Sequence, residues 1–247
     1  MSSTISLPTN SAAASSPTST AGSCGTTGGS ITINRSDDLN TIAGCSTIFG
    51  DVIVTGSSLG LNSIELPIAL EKITGSLIFD GGNSVPILSI SAAGLTSVGS
   101  AQSHAAPQLS DLITTSGLAI GNFPLLGLFS FPSLATIESN FLVENNPNIS
   151  SIEMPQLSNV AGNIDLTGNF EKVELPVLST IGGGVNIESS SSSFQCPSNI
   201  RGATKGSIFN CKGDVQHPAA GQGLQYSNRQ LSSAIKKELK RNHLPQI

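Results

Sequence analysis

The chain has 247 residues, 38% of them hydrophobic but only 11% charged, with 26 Gly, 13 Pro, no Trp, one Tyr and a formal charge of −5. A typical soluble domain carries roughly 25% charged residues, so this is a charge-poor chain with enough apolar material for a core, which excludes highly charged disorder. Residues 1–213 hold 14 Asp/Glu against 6 Lys/Arg, and residues 214–247 hold 2 against 5; the body has no basic face for phosphates, and nucleic acid is not an expected partner.

In chain order, residues 1–23 form a Ser/Thr/Pro-rich tract with no basic n-region and no apolar h-region, so no secretory signal is read there. Such a tract reads either as an O-glycosylated extracellular stalk or as an unmodified disordered tail. Nowhere do 18 consecutive apolar residues occur, the length a membrane-spanning helix needs.

From Cys24 to Gly213 the chain repeats. Five windows share the pattern apolar-x-Gly-x-apolar-x-apolar: IFGDVIV (48–54), ITGSLIF (73–79), IESNFLV (137–143, with Ser139 in the Gly place), VAGNIDL (160–166) and IGGGVNI (181–187). Their starts lie 25, 64, 23 and 21 residues apart, and the wide gap has room for degenerate copies around Val98 and LITTSGL (112–118). A second motif, apolar-x-apolar-Pro, precedes the windows at IELP (64–67), FSFP (129–132), IEMP (152–155) and VELP (173–176), with LSIS (88–91) as a Pro-less variant. A leucine follows at Leu70, Leu134, Leu157 or Leu178, three residues ahead of the next window, and Cys45 takes that place in the first copy.

Alternation of apolar residues within each window is strand periodicity, and a repeat of 20–50 residues means a stacked architecture. Each repeat reads as one coil: a main strand, a turn such as DGGNS or ENNPN, and a short extended piece ending in Pro, where a missing N–H costs little. The expected fold is an all-β, right-handed parallel solenoid of about seven coils of 21–25 residues. At about 4.8 Å per coil it forms a rod roughly 35 Å long. The Gly before each main strand is expected to permit a tight corner or a positive φ. Residues 214–247 form a tail, whose segment 229–241 is the one helical candidate, with Leu231, Ile235 and Leu239 on one face beside Lys236, Lys237, Lys240 and Arg241.

The four cysteines sit two at each end of the repeats. Disulfide geometry brings Cα atoms within about 7 Å, so a rod of this length permits only Cys24–Cys45 and Cys196–Cys211. Bridges at the ends would protect open strand edges and imply an oxidising, extracellular compartment. Two N-x-Ser/Thr sequons, at Asn34 and Asn148, are the expected N-glycosylation sites of a secreted chain.

Catalysis finds little support. Glu65, Glu153 and Glu174 occupy matching repeat positions and read as a solvated stripe on one outer face rather than as the flanking pair that glycoside hydrolysis uses. His104 is a lone loop residue, His217, His243 and Tyr226 lie in the tail, and GTTGG (25–29) and IGGG (181–184) lack the Lys and helix of a phosphate loop. No catalytic residue, metal or cofactor is expected.

The block from about Ile31 to Lys212 resembles the fungal cell-wall organisation proteins, the extracellular-mutant and sporulation-specific group of glycosylphosphatidylinositol-anchored proteins with receptor L-domain-like, leucine-rich repeats. The stretch 159–213, with its GNF, its GGG-plus-strand, the Ser run before Phe194–Gln195–Cys196 and the closing Cys211, carries that likeness most strongly. The resemblance implies a receptor L-domain kind of solenoid over 24–213 and a non-catalytic surface or wall glycoprotein for wall organisation, integrity or spore-wall formation. Cell-wall polysaccharide or wall proteins would be its partners. Members of that group start with a signal peptide and end in an anchor signal. This sequence starts on the Ser/Thr tract and ends in KKELKRNHLPQI, so it reads as an incomplete gene model or a non-anchored relative, with membrane attachment only through an anchor it does not encode. The rival classes are a carbohydrate-active β-helix enzyme, which would gather carboxylates in a groove, and a receptor ectodomain, which would expose an apolar or aromatic patch on the main sheet.

Overall fold

The structure is a computed structural model that describes residues 22–55, 60–82, 86–99, 117–204 and 207–213. The strands of the first half are β1 (Gly22–Ile33), β2 (Cys45–Thr55), β3 (Ser63–Glu65), β4 (Lys72–Ile73), β5 (Leu77–Asp80), β6 (Ser89–Ser91), β7 (Ser97–Val98), β8 (Gly117–Gly121) and β9 (Leu128–Ser130). The second half contributes β10 (Thr136–Ile137), β11 (Asn140–Asn146), β12 (Ser151–Glu153), β13 (Asn159–Val160), β14 (Ile164–Gly168), β15 (Lys172–Glu174), β16 (Thr180–Ile181), β17 (Val185–Ser189) and β18 (Phe209–Lys212). A short helix α1 (Ser198–Ala203) and a 3₁₀ turn (Ser36–Ile42) complete the described elements.

All strand pairs are parallel and join equivalent places of successive repeats. The central ladder runs β1-β2-β5-β8-β11-β14-β17-β18, so eight strands make about seven turns of a β-solenoid. A second ladder, β2-β4-β7-β10-β13-β16, holds the first apolar residue of each window, and short ladders β3-β6-β9 and β12-β15 hold the apolar-x-apolar-Pro motifs.

The register shows why the pattern folds this way. Val52, Leu77, Leu118, Phe141, Ile164, Val185 and Phe209 stack as one inward column, and Val54, Phe79, Ile120, Val143, Leu166, Ile187 and Cys211 stack as the next. With Ile73, Val98, Ile137, Val160 and Ile181 they line a single continuous core. Leu70, Leu95, Leu134, Leu157 and Leu178 are all buried, and Cys45 is buried in the place the sequence assigns it. No coil could bury these side chains alone; stacking removes them from water at about 1.5–3 kcal/mol each for the larger ones.

The wide gap between windows resolves differently from the expectation of two degenerate copies. Val98 of β7 pairs as a window's first residue, while Leu118 and Ile120 of β8 pair as its later ones. They are two halves of one repeat, split between Gly99 and Gly117, and Leu77 therefore meets Leu118, 41 residues on. The count of about seven turns survives because β1 and β18 add a strand at each end.

The window glycines serve close approach more than positive φ. Gly50 has φ +102°, but Gly75, Gly162 and Gly183 do not enter the left-handed region. A Cβ on Gly162 would lie 2.7 Å from the Ser139 carbonyl carbon of the coil beneath. At three of the corners the residue after the glycine, or after Ser139 in its place, caps the next coil. Asp51 Oδ1 accepts from the Ser76 N–H at 2.7 Å, Asn140 Oδ1 from Asn163 N–H at 2.7 Å, and Asn163 Oδ1 from Gly184 N–H at 2.8 Å. At the opposite end of the main strands, fully buried Asn146 accepts from Phe123 N–H at 3.0 Å and donates to the Ile120 carbonyl at 2.9 Å. Buried backbone groups at the bends thus find partners that a ladder alone would not supply.

Both ends are closed covalently. Cys24 bonds Cys45 across β1 and β2, and Cys196 bonds Cys211 of β18, with Cα separations of 5.7 and 5.9 Å. Helix α1, which the sequence does not announce, lays buried Ile200 and Ala203 over the last coil beside Phe194. Gly22 and Ser23 belong to β1; residues 1–21, the tail 214–247 with its helical candidate 229–241, His104, His217, Tyr226 and His243 lie outside the described residues.

Candidate functional site

A solenoid offers its flat faces, and the outward row of the central ladder is the most extended one. Alternation places Thr32, Ile53, Ile78, Ala119, Leu142, Asp165, Asn186 and Asn210 side by side on that face, opposite the core. The row changes character at Leu142: four apolar residues precede the change, and three polar ones follow it. Ile53, Ile78 and Ala119 are only 1–2% exposed, so this is not the open apolar patch expected of a receptor surface.

The polar half is a linked chain of side chains. Asn186 Nδ2 donates to Asp165 Oδ1 at 3.0 Å, and Asn210 Nδ2 donates to Asn186 Oδ1. Burial pushes the Asp165 carboxyl above its usual range; hydrogen bonds from Asn186 and Thr167 oppose the shift, and Glu188 nearby adds to it. A raised acid beside a second carboxylate is one ingredient of general acid chemistry, but here the acid is tied to Asn186 of the next coil and to Thr167 of its own strand. Sequence reasoning missed this cluster although it carried a signal: IDL, VNI and FNC each put a polar residue between two core residues.

The glutamates singled out from sequence occupy a different face. Glu153 of β12 pairs with Glu174 of β15, whereas Glu65 of β3 pairs with Ser91 in the other short ladder and is adjacent to neither. Lys172 reaches Glu153 at 3.4 Å and Glu174 at 3.0 Å, and all three side chains are about half exposed. The Ser151 hydroxyl and the Lys172 ammonium hold Glu153 below the usual carboxylate range, and both glutamates hold Lys172 up. This is a solvated ion triad in which Glu153 favours its charged form, the reverse of what a proton donor needs.

Asn34 ends on the exposed edge beyond β1, where its Oδ1 accepts from the Thr55 hydroxyl, and Asn148 is exposed in the turn after β11. Ser36 and Ser150, the third residues of the two sequons, are exposed as well. GTTGG is a bulge inside β1, with Gly25 and Gly28 at φ +78° and +80°. Among the described residues no group of three or more His, Cys, Asp or Glu stands close enough to hold a metal ion, and no helix is long and apolar enough to cross a membrane.

The fold and these surfaces define a class: a parallel β-solenoid of L-domain-like repeats, stabilised by columns of aliphatic residues and closed by a disulfide at each end. The sequence of the chain is 31% identical over 177 residues to Protein ecm33 of Aspergillus fumigatus, an alignment covering 60% of this chain. This match supports the resemblance to the fungal Ecm33 cell-wall proteins. The alignment spans 43% of that relative's length. No family model matches the chain, and no solved structure matches it.

Proposed function

We propose that the protein is a non-catalytic, extracellular glycoprotein of the fungal cell wall or outer plasma-membrane surface that supports wall organisation and integrity or spore-wall assembly. Its partners are wall polysaccharide or other wall proteins. The observation that carries this reading is the disulfide-closed solenoid in a chain similar to Protein ecm33. Disulfides at both ends suit an oxidising compartment. The exposed acids Glu153 and Glu174 of the β12-β15 ladder are tied to Lys172 in a solvated ion triad rather than gathered in a groove. Asn34 and Asn148 carry N-glycans, a reading supported by their exposure and that of their sequon serines.

Deleting the gene is expected to sensitise the fungus to wall-perturbing dyes, with the tagged chain recovered in the wall or surface fraction. Enzymatic N-glycan removal is expected to lower its mass in two steps, one lost in Asn34→Gln and one in Asn148→Gln. A chain found only in the cytosol, with unchanged mass after glycan removal, would overturn the proposal.

A further inference from the structure

The two terminal bridges are not equivalent. Cys45 is fully buried, and Cys24 and Cys211 are partly buried and packed against the core. Cys196 is exposed and lies outside the core cluster. The charge around the bridges differs as well. The loop closed by Cys24 and Cys45 holds Arg35 against Asp37 and Asp38, whereas residues 189–213 hold Arg201, Lys205 and Lys212 and no acid, in a body that is acidic as a whole. Exposed disulfides are the labile ones, and a cationic surround favours thiolates.

We propose that the Cys196–Cys211 bridge is a thiol–disulfide exchange site, with Cys196 as the sulfur attacked and a small anionic thiol of the glutathione kind as the reagent. The incoming thiolate bonds to Cys196 Sγ, the Cys196–Cys211 bond breaks, and its electron pair leaves on Cys211 Sγ, which takes a proton from solvent. One disulfide replaces another, so no oxidant is consumed. Accessibility selects the sulfur: Cys196 is open to solvent, while Cys211 stacks on Ile187 at the end of an inward column. The basic, acid-free segment favours both the approach of an anion and the departure of a thiolate. The cap is built to survive the exchange. Phe194 and Ile200, both buried, anchor the chain on either side of Cys196, and Asn199 Nδ2 donates to the Leu175 carbonyl at 2.7 Å. Strand β18 keeps its ladder with β17, from Phe209 against Val185 to Lys212 against Glu188. A freed Cys211 thiol in that column is a small, weakly polar side chain. With its Cα 5.9 Å from that of Cys196, it can attack the adduct and restore the bridge. The N-terminal bridge has no exposed cysteine and no acid-free surround, and it stays closed. The inference rests on the bridge and its surroundings, not on the wall role proposed above.

The test treats the oxidised, folded full chain with reduced glutathione, quenches with N-ethylmaleimide in denaturant and maps each cysteine by peptide mass. Cys196 and Cys211 are expected to be modified at least about 10-fold faster than Cys24 and Cys45, the separation between an exposed bridge and one reached only through local opening. Glutathione is expected on Cys196 and maleimide on Cys211. Two variants treated with glutathione disulfide give a second readout. Cys211→Ser leaves Cys196 free and is expected to take up glutathione at least about 10-fold faster than Cys196→Ser, which leaves Cys211 free. An N-terminal bridge that opens as fast, glutathione on Cys211 rather than Cys196, or equal uptake by the two variants would overturn the proposal. So would four cysteines that react only together, on global unfolding.

Discussion

Gly162→Ala tests the stacking principle at its tightest point. Gly162 is outside the left-handed region, so alanine meets no backbone penalty and by itself would stabilise by about 0.4–1 kcal/mol through the unfolded chain. The added Cβ, however, would lie 2.7 Å from the Ser139 carbonyl carbon and 2.8 Å from its oxygen, and would collide with Asn140 Oδ1. The first two atoms are backbone, so the coil itself must shift, an overpacking cost of about 1–3 kcal/mol. Displacing Asn140 also weakens its 2.7 Å bond from the Asn163 N–H, worth about 0.5–1.5 kcal/mol. The balance is a loss of about 2 kcal/mol, read as a shift of about 1 M in a urea midpoint followed by far-UV circular dichroism. Gly127 supplies the control, because it is exposed, has no positive φ and would bring no atom within 4 Å of its Cβ. Gly127→Ala is expected to be neutral or stabilising by up to about 1 kcal/mol. A Gly162→Ala protein within about 0.5 kcal/mol of wild type, or one no less stable than Gly127→Ala, would refute the reasoning.

Asp165→Asn is expected to raise the melting temperature at neutral pH, since it replaces a carboxylate that burial disfavours with the residue type its neighbour Asn186 already uses. The sign follows from linkage: a folded-state value raised above the unfolded one means that the native state holds the proton longer. Stability is therefore lost as pH rises through the window between them, and the advantage of the variant should vanish in melts below that window. Replacing Cys196 and Cys211 together by serine opens a bridge with a sequence separation of 15, and should lower stability by about 3 kcal/mol in a urea titration while the core strands persist.

The sequence discloses what contiguous periodicity can carry. Each intact window became one rung of the inward columns, and the end placement of four cysteines left one compatible pairing, the one found. The split repeat hid itself because Val98 and Leu118 belong to one window yet are separated by a segment with no repeat of its own. The role of the window glycines was half legible: the tight corner was right, but its cause is the backbone of the neighbouring coil together with the capping side chains of Asp51, Asn140 and Asn163, visible only once coils are stacked. Helix α1 has poor intrinsic credentials, being six residues with Gly202 inside and no side-chain cap, and exists because Ile200 and Ala203 close the core. The outward row of the central ladder was written in the middle residues of VIV (52–54), LIF (77–79), LAI (118–120) and FLV (141–143), but reading them as one row requires knowing that the strands are parallel neighbours.

The central claim is that the solenoid works by shape and stability rather than by chemistry at a carboxylate. Its most direct test is wall resistance in a strain lacking the gene, complemented by the full chain carrying Glu153→Gln, Asp165→Asn and Glu188→Gln together, alongside a chain carrying Gly162→Ala. The account predicts that the triple-substituted protein restores resistance to the wild-type level, while Gly162→Ala restores it only in proportion to the folded protein that remains. Failure of the triple-substituted protein to complement, at wild-type abundance and stability, would contradict it.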